Sequence, residues 1–317
     1  MRDVVIVGGG PAAYAAAFFL RSKQRRPLMI YEEQGGKTAW RLNRIAADEA
    51  EPTPGHGLLD ALFQPAPLAD NVRHDQVTRV RRAADCLIVD TVRHGSFESL
   101  GVVVATGVRP RPLRVPGSEY LINQSLSYSL HAHAAHLAGQ RIAVVGATPR
   151  MLRGIAEILP SVAGVALVCA QAELPDTALM DQLRWHPRLE IYPGAEVAAV
   201  NGGSAVRSVA ILQGERQITV PADRIFVDFG VDPASACVRE LGVCDPQGFV
   251  VIDEYHMTRV DGLFAAGDVT TSAFGENHLL AAAEGLRAGA SAYEYVLAQE
   301  VFGPKEPRDV ARGDQSR

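Results

Sequence analysis

Residues 3–21 read DVVIVGGGPAAYAAAFFLR: a short apolar run, three glycines, a proline and an alanine-rich stretch. The run Asp3 to Val7 predicts a buried strand and Tyr14 to Arg21 a helix, so Gly8 to Ala13 must carry the chain through a tight turn between them. The pattern is G-x-G-x-x-A. Gly8 permits the turn, Gly10 allows close approach to a pyrophosphate, and the small Ala13 lets helix and strand pack together. A phosphate would sit at the helix start, beside Pro11 and Ala12, where N–H groups and the dipole favour an anion. The next strand, Pro27 to Tyr31, runs into Glu32 and Glu33. An acidic side chain at that distance accepts hydrogen bonds from an adenosine ribose, with Glu32 the first choice and Glu33 the second.

Working outward, LGVVVATGVRP at 100–110 is another buried strand ending in a glycine turn, and DGLFAAGDV at 261–269 is a short strand ending in Gly267-Asp268. An acidic residue just past a strand accepts hydrogen bonds from ribityl or phosphate-linked groups, which selects a flavin over a nicotinamide for this first site. A second strand–turn–helix begins at Ile142 to Val145 and continues into Gly146-Ala147-Thr148-Pro149-Arg150-Met151. The expected class is α/β, with two Rossmann-like three-layer nucleotide-binding domains, the second inserted into the first. The Pro and Gly punctuation places the joints near 115–117 and 245–248. That gives a flavin domain of 1–115 plus 249–303, an inserted domain of 116–248, and a polar, mobile tail at 304–317. Residues 48–68, rich in Pro and Gly, are expected to form an irregular, dimer-forming excursion.

Composition fits this reading. The 317 residues exceed the usual size of one domain, 47% are hydrophobic and 21% charged, and no apolar stretch reaches the roughly 20 residues that cross a bilayer. The apolar start is short enough to be a strand and not a secretory core, so a cytoplasmic protein without a membrane partner is expected. A net charge of −5 argues against a nucleic-acid surface, and Arg79, Arg81 and Arg82 read as a solvated strand edge. Cys86, Cys169, Cys237 and Cys244 contain no C-x-x-C or zinc spacing, so no metal is expected. Cys237 and Cys244 would lie too far apart on one continuous helix to bridge, but Gly242 between them offers a turn; a redox pair and incidental buried thiols both remain open.

Taken together, GGGPAA, YEEQGG, ATGVRPRPLRVPG, DFGVDPAS and GLFAAGDV occur in the order found in the low-molecular-weight thioredoxin reductase family, which the chain resembles over residues 3–300. The resemblance implies bound FAD and a homodimer. It carries Gly35, Gly36, Lys37 and Thr38 along the flavin, Asp268 with Gly267 to the ribityl chain, and Ala105, Thr106 and Gly107 to the same cofactor. Tyr31, Asn43 and Val77 join the contact set on the same ground. Trp40 is placed to stack on a ring or to pack in the core. The last helix, beginning near Asn277, His278 and Leu279, would aim its positive end at the isoalloxazine.

The departures are as informative as the matches. Aligning the strand 141–146 with the family puts Ser127-Tyr128-Ser129-Leu130-His131-Ala132 over its redox C-x-x-C, with Ser129 and Ala132 in the cysteine positions. Serine forms no disulfide, so ordinary thioredoxin reductase chemistry has no centre here. Thr148 and Met151 stand where the second motif needs glycine and a small residue. Strand 165–169 leads to Ala170-Gln171-Ala172-Glu173, which offers no arginine for a 2′-phosphate. NADPH is disfavoured, whereas NADH remains open because Pro149 still begins a helix. A second flavin in the middle domain is also open, as in ferredoxin-linked or diflavin-linked disulfide oxidoreductases, which the pattern resembles. The expected helix over the altered site carries His131, His133 and His136, with His133 and His136 on one face as proton-transfer candidates; His278 is a further candidate at the flavin. The expectation is a FAD-dependent oxidoreductase exchanging electrons with an electron-transfer or disulfide protein. The alternatives are an NADH-dependent small-molecule oxidase or dehydrogenase, and a non-catalytic flavin-binding protein.

Overall fold

The computed structural model describes residues 1–36, 71–119, 121, 125–271 and 277–303. By its own packing the chain divides into two compact units. The first takes in the N-terminal segment to Val108 and the segment from Pro233 onward; the second takes in Arg109–Asp232.

In the first unit the expected strand–turn–helix is β1 (Arg2–Val7) and α1 (Pro11–Ser22), followed by β2 (Leu28–Tyr31), β3 (Val72–His74), β4 (Val77–Arg82), β5 (Leu87–Thr91) and β6 (Ser96–Val104). Among the described residues the sheet order is β3-β2-β1-β6-β5-β4, with β1 parallel to both β2 and β6. The long β6 changes neighbours: Ser96–Ser99 pairs antiparallel with β5, and Val102–Val104 pairs parallel with a strand that returns from the far end of the chain. Strands buried on both faces read as continuous apolar runs, which is why VVIV and GVVVA stand out in the sequence.

Strand β7 (Val108–Pro110) leads into the second unit, which contains β8 (Leu126–Ser127), β9 (Arg141–Val145), α2 (Pro149–Ile158), β10 (Gly164–Cys169), α3 (Ala178–Leu183), β11 (Leu189–Pro193), β12 (Ala195–Gly202), β13 (Val206–Gln213), β14 (Arg216–Pro221) and β15 (Arg224–Val227). A parallel sheet of order β11-β10-β9-β15-β8 packs Ile142, Val144, Leu167 and Phe226 against α2, while β12-β13-β14 form an antiparallel sheet. Strand β16 (Val231–Pro233) pairs with β7, and the chain then completes the first unit with β17 (Leu263–Ala265) on β6 and the 25-residue helix α4 (His278–Phe302).

By this packing the units divide at 108/109 and 232/233, beside the expected joints near 115–117 and 245–248. The Pro and Gly clusters used for the expected boundaries are internal turns. Gly117, at φ +83°, is wedged against the Val200 carbonyl inside the second unit, and Gly248, at φ +93°, closes a turn on Asp245 inside the first. The histidine segment His131–His136 is a 3-10 helix, and the chain turns at Gly139, φ +71°, into β9. The first unit is tightened by small residues. A methyl on Gly285 of α4 would overlap the Ala12 carbonyl of α1, and one on Gly289 would press on Ala16, so the two helices meet backbone to backbone. This fixes where α1 begins.

Candidate functional site

The turn after β1 is defined by three close approaches. Gly8 sits at φ +130°, where side chains are strained, and its Cβ would overlap the Ala105 carbonyl. A Cβ on Gly9 would overlap the Glu33 carbonyl and press on the Tyr31 ring, a constraint the motif reading missed by treating position 9 as free. Gly10 has ordinary dihedrals (φ −89°), and no atom of the described residues lies within 4 Å of a Cβ built on it. It caps α1 without a side chain, Pro11 at N1 has no N–H to lose, and no acidic residue sits in the first turn. Beside this turn Thr106 Oγ1 is buried without a hydrogen-bond partner among the described residues. A helix start with uncapped N–H groups, an open glycine and an orphaned hydroxyl is what a dinucleotide phosphate needs, so these residues fit the cofactor implied by the motif. Ala13 lies buried under the helix, as the motif requires.

Around this turn, Glu32 and Glu33 follow β2 and are exposed. Tyr31 is buried, its hydroxyl 3.2 Å from that of Tyr14 and its ring edge-on to His74 at 4.9 Å. The backbone past β2 is braced by Asp75, whose N–H donates to the Tyr31 carbonyl at 2.9 Å. The Asp75 carboxylate is buried and accepts from the backbone N–H groups of Gln76 (2.8 Å), Arg93 (3.0 Å) and His94 (3.0 Å), with His94 Nδ1 2.6 Å away. Burial pushes this carboxyl up, but the His94 ring and the backbone donors outweigh it and hold it well below the usual carboxylate range. Val77 opens β4 and packs with the β4–β5 side of the core. Gly36, at φ +52°, lies against Gly10, and Gly35 N–H donates to the Gly9 carbonyl at 2.6 Å. Lys37, Thr38, Trp40 and Asn43 lie outside the described residues, as do the 48–68 excursion and the 304–317 tail.

The Gly267–Asp268 turn past β17 is held from two sides. Gly267 N–H donates to Glu284 Oε2 of α4 at 2.8 Å, and the Thr270 hydroxyl donates to the Gly267 carbonyl at 3.0 Å. Sequence reasoning missed Glu284, whose signal was a lone carboxylate on the alanine-rich face of α4. That helix starts as expected at His278, but Asn277 is the residue that caps it, accepting from the N–H groups of Leu279 and Leu280.

The second turn repeats the first almost atom for atom. Gly8 N–H donates to Ile30 O at 2.8 Å and Gly146 N–H to Val168 O at 2.9 Å. Ala105 N–H donates to Val7 O and Asp228 N–H to Val145 O, both at 2.8 Å. Gly146, at φ +103°, is wedged on the Asp228 carbonyl as Gly8 is on that of Ala105. Ala147 stands for Gly9 and Arg150 for Ala12, with three further replacements at Thr148, Met151 and Asp228. Thr148 stands for Gly10 and caps α2, its hydroxyl accepting from Met151 N–H at 3.2 Å. Met151 stands for Ala13 and is buried in the core. Asp228 stands for Ala105: its carboxylate is 4% exposed, accepts from Thr148 Oγ1 and from Gly230 N–H (3.0 Å), and pairs with Arg150 Nη2 at 2.9 Å. These residues do not fit a dinucleotide phosphate, because the helix start is already satisfied from within and faces a carboxylate.

The segment aligned with a redox motif holds a hydroxyl–imidazole contact instead. Ser127 Oγ lies 3.1 Å from His133 Nε2, and the His133 ring packs on Phe226 at 5.6 Å. His136, on the same 3-10 helix, is exposed, and no group of three or more metal-ligating side chains occurs among the described residues. Cys237 sits in a second 3-10 helix, Ala236–Leu241, which Gly242 ends in a left-handed conformation, so the chain does turn back before Cys244. Both are free thiols. Burial pushes the Cys237 thiol up to about 11, which suppresses the thiolate that exchange chemistry requires.

Comparison with known proteins agrees with this architecture. The F component of alkyl hydroperoxide reductase from Staphylococcus aureus (strain MRSA252) is 28% identical over 307 residues, covering 93% of this chain and 59% of that protein. The protein of the same name from Staphylococcus epidermidis is 27% identical over 232 residues, 72% of this chain and 45% of its own. The chain thus spans about half the length of these curated relatives. Among solved structures, thioredoxin reductase from Streptococcus pyogenes superposes with a TM-score of 0.79 at 23% identity, covering 94% of this chain and 99% of that one. Thioredoxin reductase from Giardia duodenalis gives 0.77 at 19%, covering 94% and 100%. At such identities the likeness is one of fold, two Rossmann-like units of parallel sheet and helix. The family model described as pyridine nucleotide-disulphide oxidoreductase matches residues 2–289, and the chain belongs to that family.

Proposed function

We propose that this chain is a FAD-dependent oxidoreductase that exchanges electrons with a protein partner, a disulfide or electron-transfer protein, and does not draw them from NADPH. The observation that carries the reading is the contrast between the two turns: one helix start is open, the other is capped by Thr148 and faces Asp228. In this reading Gly8, Gly10, Ala12 and Ala13 seat the FAD pyrophosphate, Glu32 receives the adenosine ribose, and Thr106 and Asp268 meet the flavin side of the cofactor. Bound FAD would supply the electron-carrying chemistry, and the chain's own part is to orient and enclose it. The start of α4, with its N–H groups and dipole, favours negative charge on a reduced ring. The missing C-x-x-C and the raised Cys237 thiol favour transfer to a partner's redox group over an internal disulfide relay. The closed second turn also counts against a second flavin in the middle unit. A homodimer goes with the family reading. The test is photoreduction of the FAD-loaded protein under argon, followed by reoxidation with a low-molecular-weight disulfide, a thioredoxin-type protein and a ferredoxin-type protein. Reoxidation by one of these, faster than by oxygen, is the expected result. Reoxidation by oxygen alone, and slowly, would make the chain a flavin-binding protein without turnover.

A further inference from the structure

The position of Asp228 has a direct electrostatic consequence for the second unit. A helix start attracts phosphate through uncapped N–H groups and a positive dipole end. In α2, as in α1, a proline removes one N–H and the next-turn N–H is intrahelical (Leu152 to Thr148 O at 3.0 Å, Tyr14 to Gly10 O at 3.1 Å), but only in α2 is a further donor capped, the Met151 N–H by Thr148 Oγ1. The Thr148 hydroxyl donates onward to Asp228 Oδ2, which also receives Arg150 Nε at 3.1 Å and Nη2 at 2.9 Å. Asp228 Oδ1 receives Gly230 N–H at 3.0 Å. The carboxylate is nearly fully buried, so its charge is little screened by solvent.

We propose that the Asp228 carboxylate is a built-in anion that takes the place of a dinucleotide phosphate at the start of α2 and, with Thr148 and Arg150, locks the middle unit against pyridine nucleotides. This deepens, and rests on, the reading that electrons do not come from NADPH. A ligand phosphate would have to displace Thr148 from the helix start and approach a buried like charge, while the guanidinium that could pair with it is already neutralised by Asp228. Arg150 also donates to the Tyr128 carbonyl at 3.4 Å, so the lock reaches the segment that stands over the C-x-x-C of related chains. The two losses read from the sequence are thereby physically linked: Arg150, held by the Asp228 carboxylate at the nucleotide turn, also donates to the altered redox segment.

The lock is tested on the FAD-saturated protein by calorimetric titration with ADP, which carries the pyrophosphate and no redox group. Wild type, Asp228→Asn, and Asp228→Ala combined with Thr148→Gly are compared, with flavin content and melting temperature recorded for each. Asp228→Asn is nearly isosteric and keeps Arg150 in reach of a phosphate. The expected result is no saturable ADP binding to wild type and binding tightened by about tenfold or more in both variants, as removal of a like charge from an anion's path implies. Wild type binding ADP as tightly as a folded variant would overturn the lock, as would folded variants that bind no better than wild type. Bleaching of the wild-type flavin by NADPH is a separate outcome, which defeats the donor reading whatever the variants do. Absence of bleaching with unresponsive variants defeats the lock and leaves the donor reading standing.

Discussion

The two glycine turns of this chain share hydrogen bonds, a first glycine at positive φ and a proline at the first helical position, yet α1 starts without a side-chain cap and α2 is capped by Thr148. The side chains that differ include the pairs Gly10/Thr148, Ala12/Arg150, Ala13/Met151 and Ala105/Asp228. Shared backbone geometry is therefore a property of the fold, and what a turn can hold depends on the side chains set on it.

The largest expected effect comes from the shared glycines. Gly8→Ala and Gly146→Ala each force a methyl into a carbonyl oxygen at positive φ and should each cost about 3 kcal/mol or more in denaturant unfolding. Only Gly8→Ala should also lose FAD on gel filtration; equal flavin loss from Gly146→Ala would break the contrast between the turns. Asp75→Asn is next. A carboxyl whose folded pKa is depressed contributes stability above its unfolded value and loses that contribution as pH falls through the folded one. Wild type should therefore lose stability as pH drops below about 4, the ordinary carboxylate range, whereas Asp75→Asn should be less stable at neutral pH and show a flatter acid limb. Melting curves from pH 7 to 3 check this, and parallel curves would place the acid sensitivity elsewhere. Thr148→Ala should cost about 1 kcal/mol through loss of the α2 cap, with FAD content unchanged. The smallest effect on folding sharpens the contrast most. Gly10→Ala meets nothing within 4 Å among the described residues and has ordinary dihedrals, so it should leave stability within about 0.5 kcal/mol. FAD affinity should nonetheless fall roughly tenfold, read by flavin fluorescence on dilution, because the methyl fills the space a phosphate enters.

Much of the fold was legible because its signals are local. VVIV, GVVVA and LFA are buried parallel strands, and G-x-G-x-x-A set between strand and helix points to a nucleotide-binding turn. Gly9 escaped notice because its constraint is the Glu33 carbonyl, a contact made only once β2 lies beside β1. The packing divides the chain at β7 and β16, short strands that pair with each other; each follows a glycine (Gly107, Gly230) and ends in a proline (Pro110, Pro233), the same punctuation as Pro116-Gly117 and Gln247-Gly248, so Pro and Gly alone do not choose between these places. Asp228 was legible in principle: ATGV at 105–108 and DFGV at 228–231 are the same strand end in the two halves. Setting them side by side shows a carboxylate in place of a methyl, but its partners Thr148 and Arg150, some eighty residues earlier, become visible only in the folded chain. The catalytic partner stayed out of reach for a different reason, since no group of three or more metal-ligating side chains occurs among the described residues to mark it.

The most direct test of the central claim is an anaerobic absorbance titration of the purified protein with NADH and NADPH, after the flavin released per chain has been counted. The expected result is one FAD per chain and an unbleached flavin band at stoichiometric nicotinamide. Bleaching by either nucleotide, or a count near two flavins per chain, would contradict it.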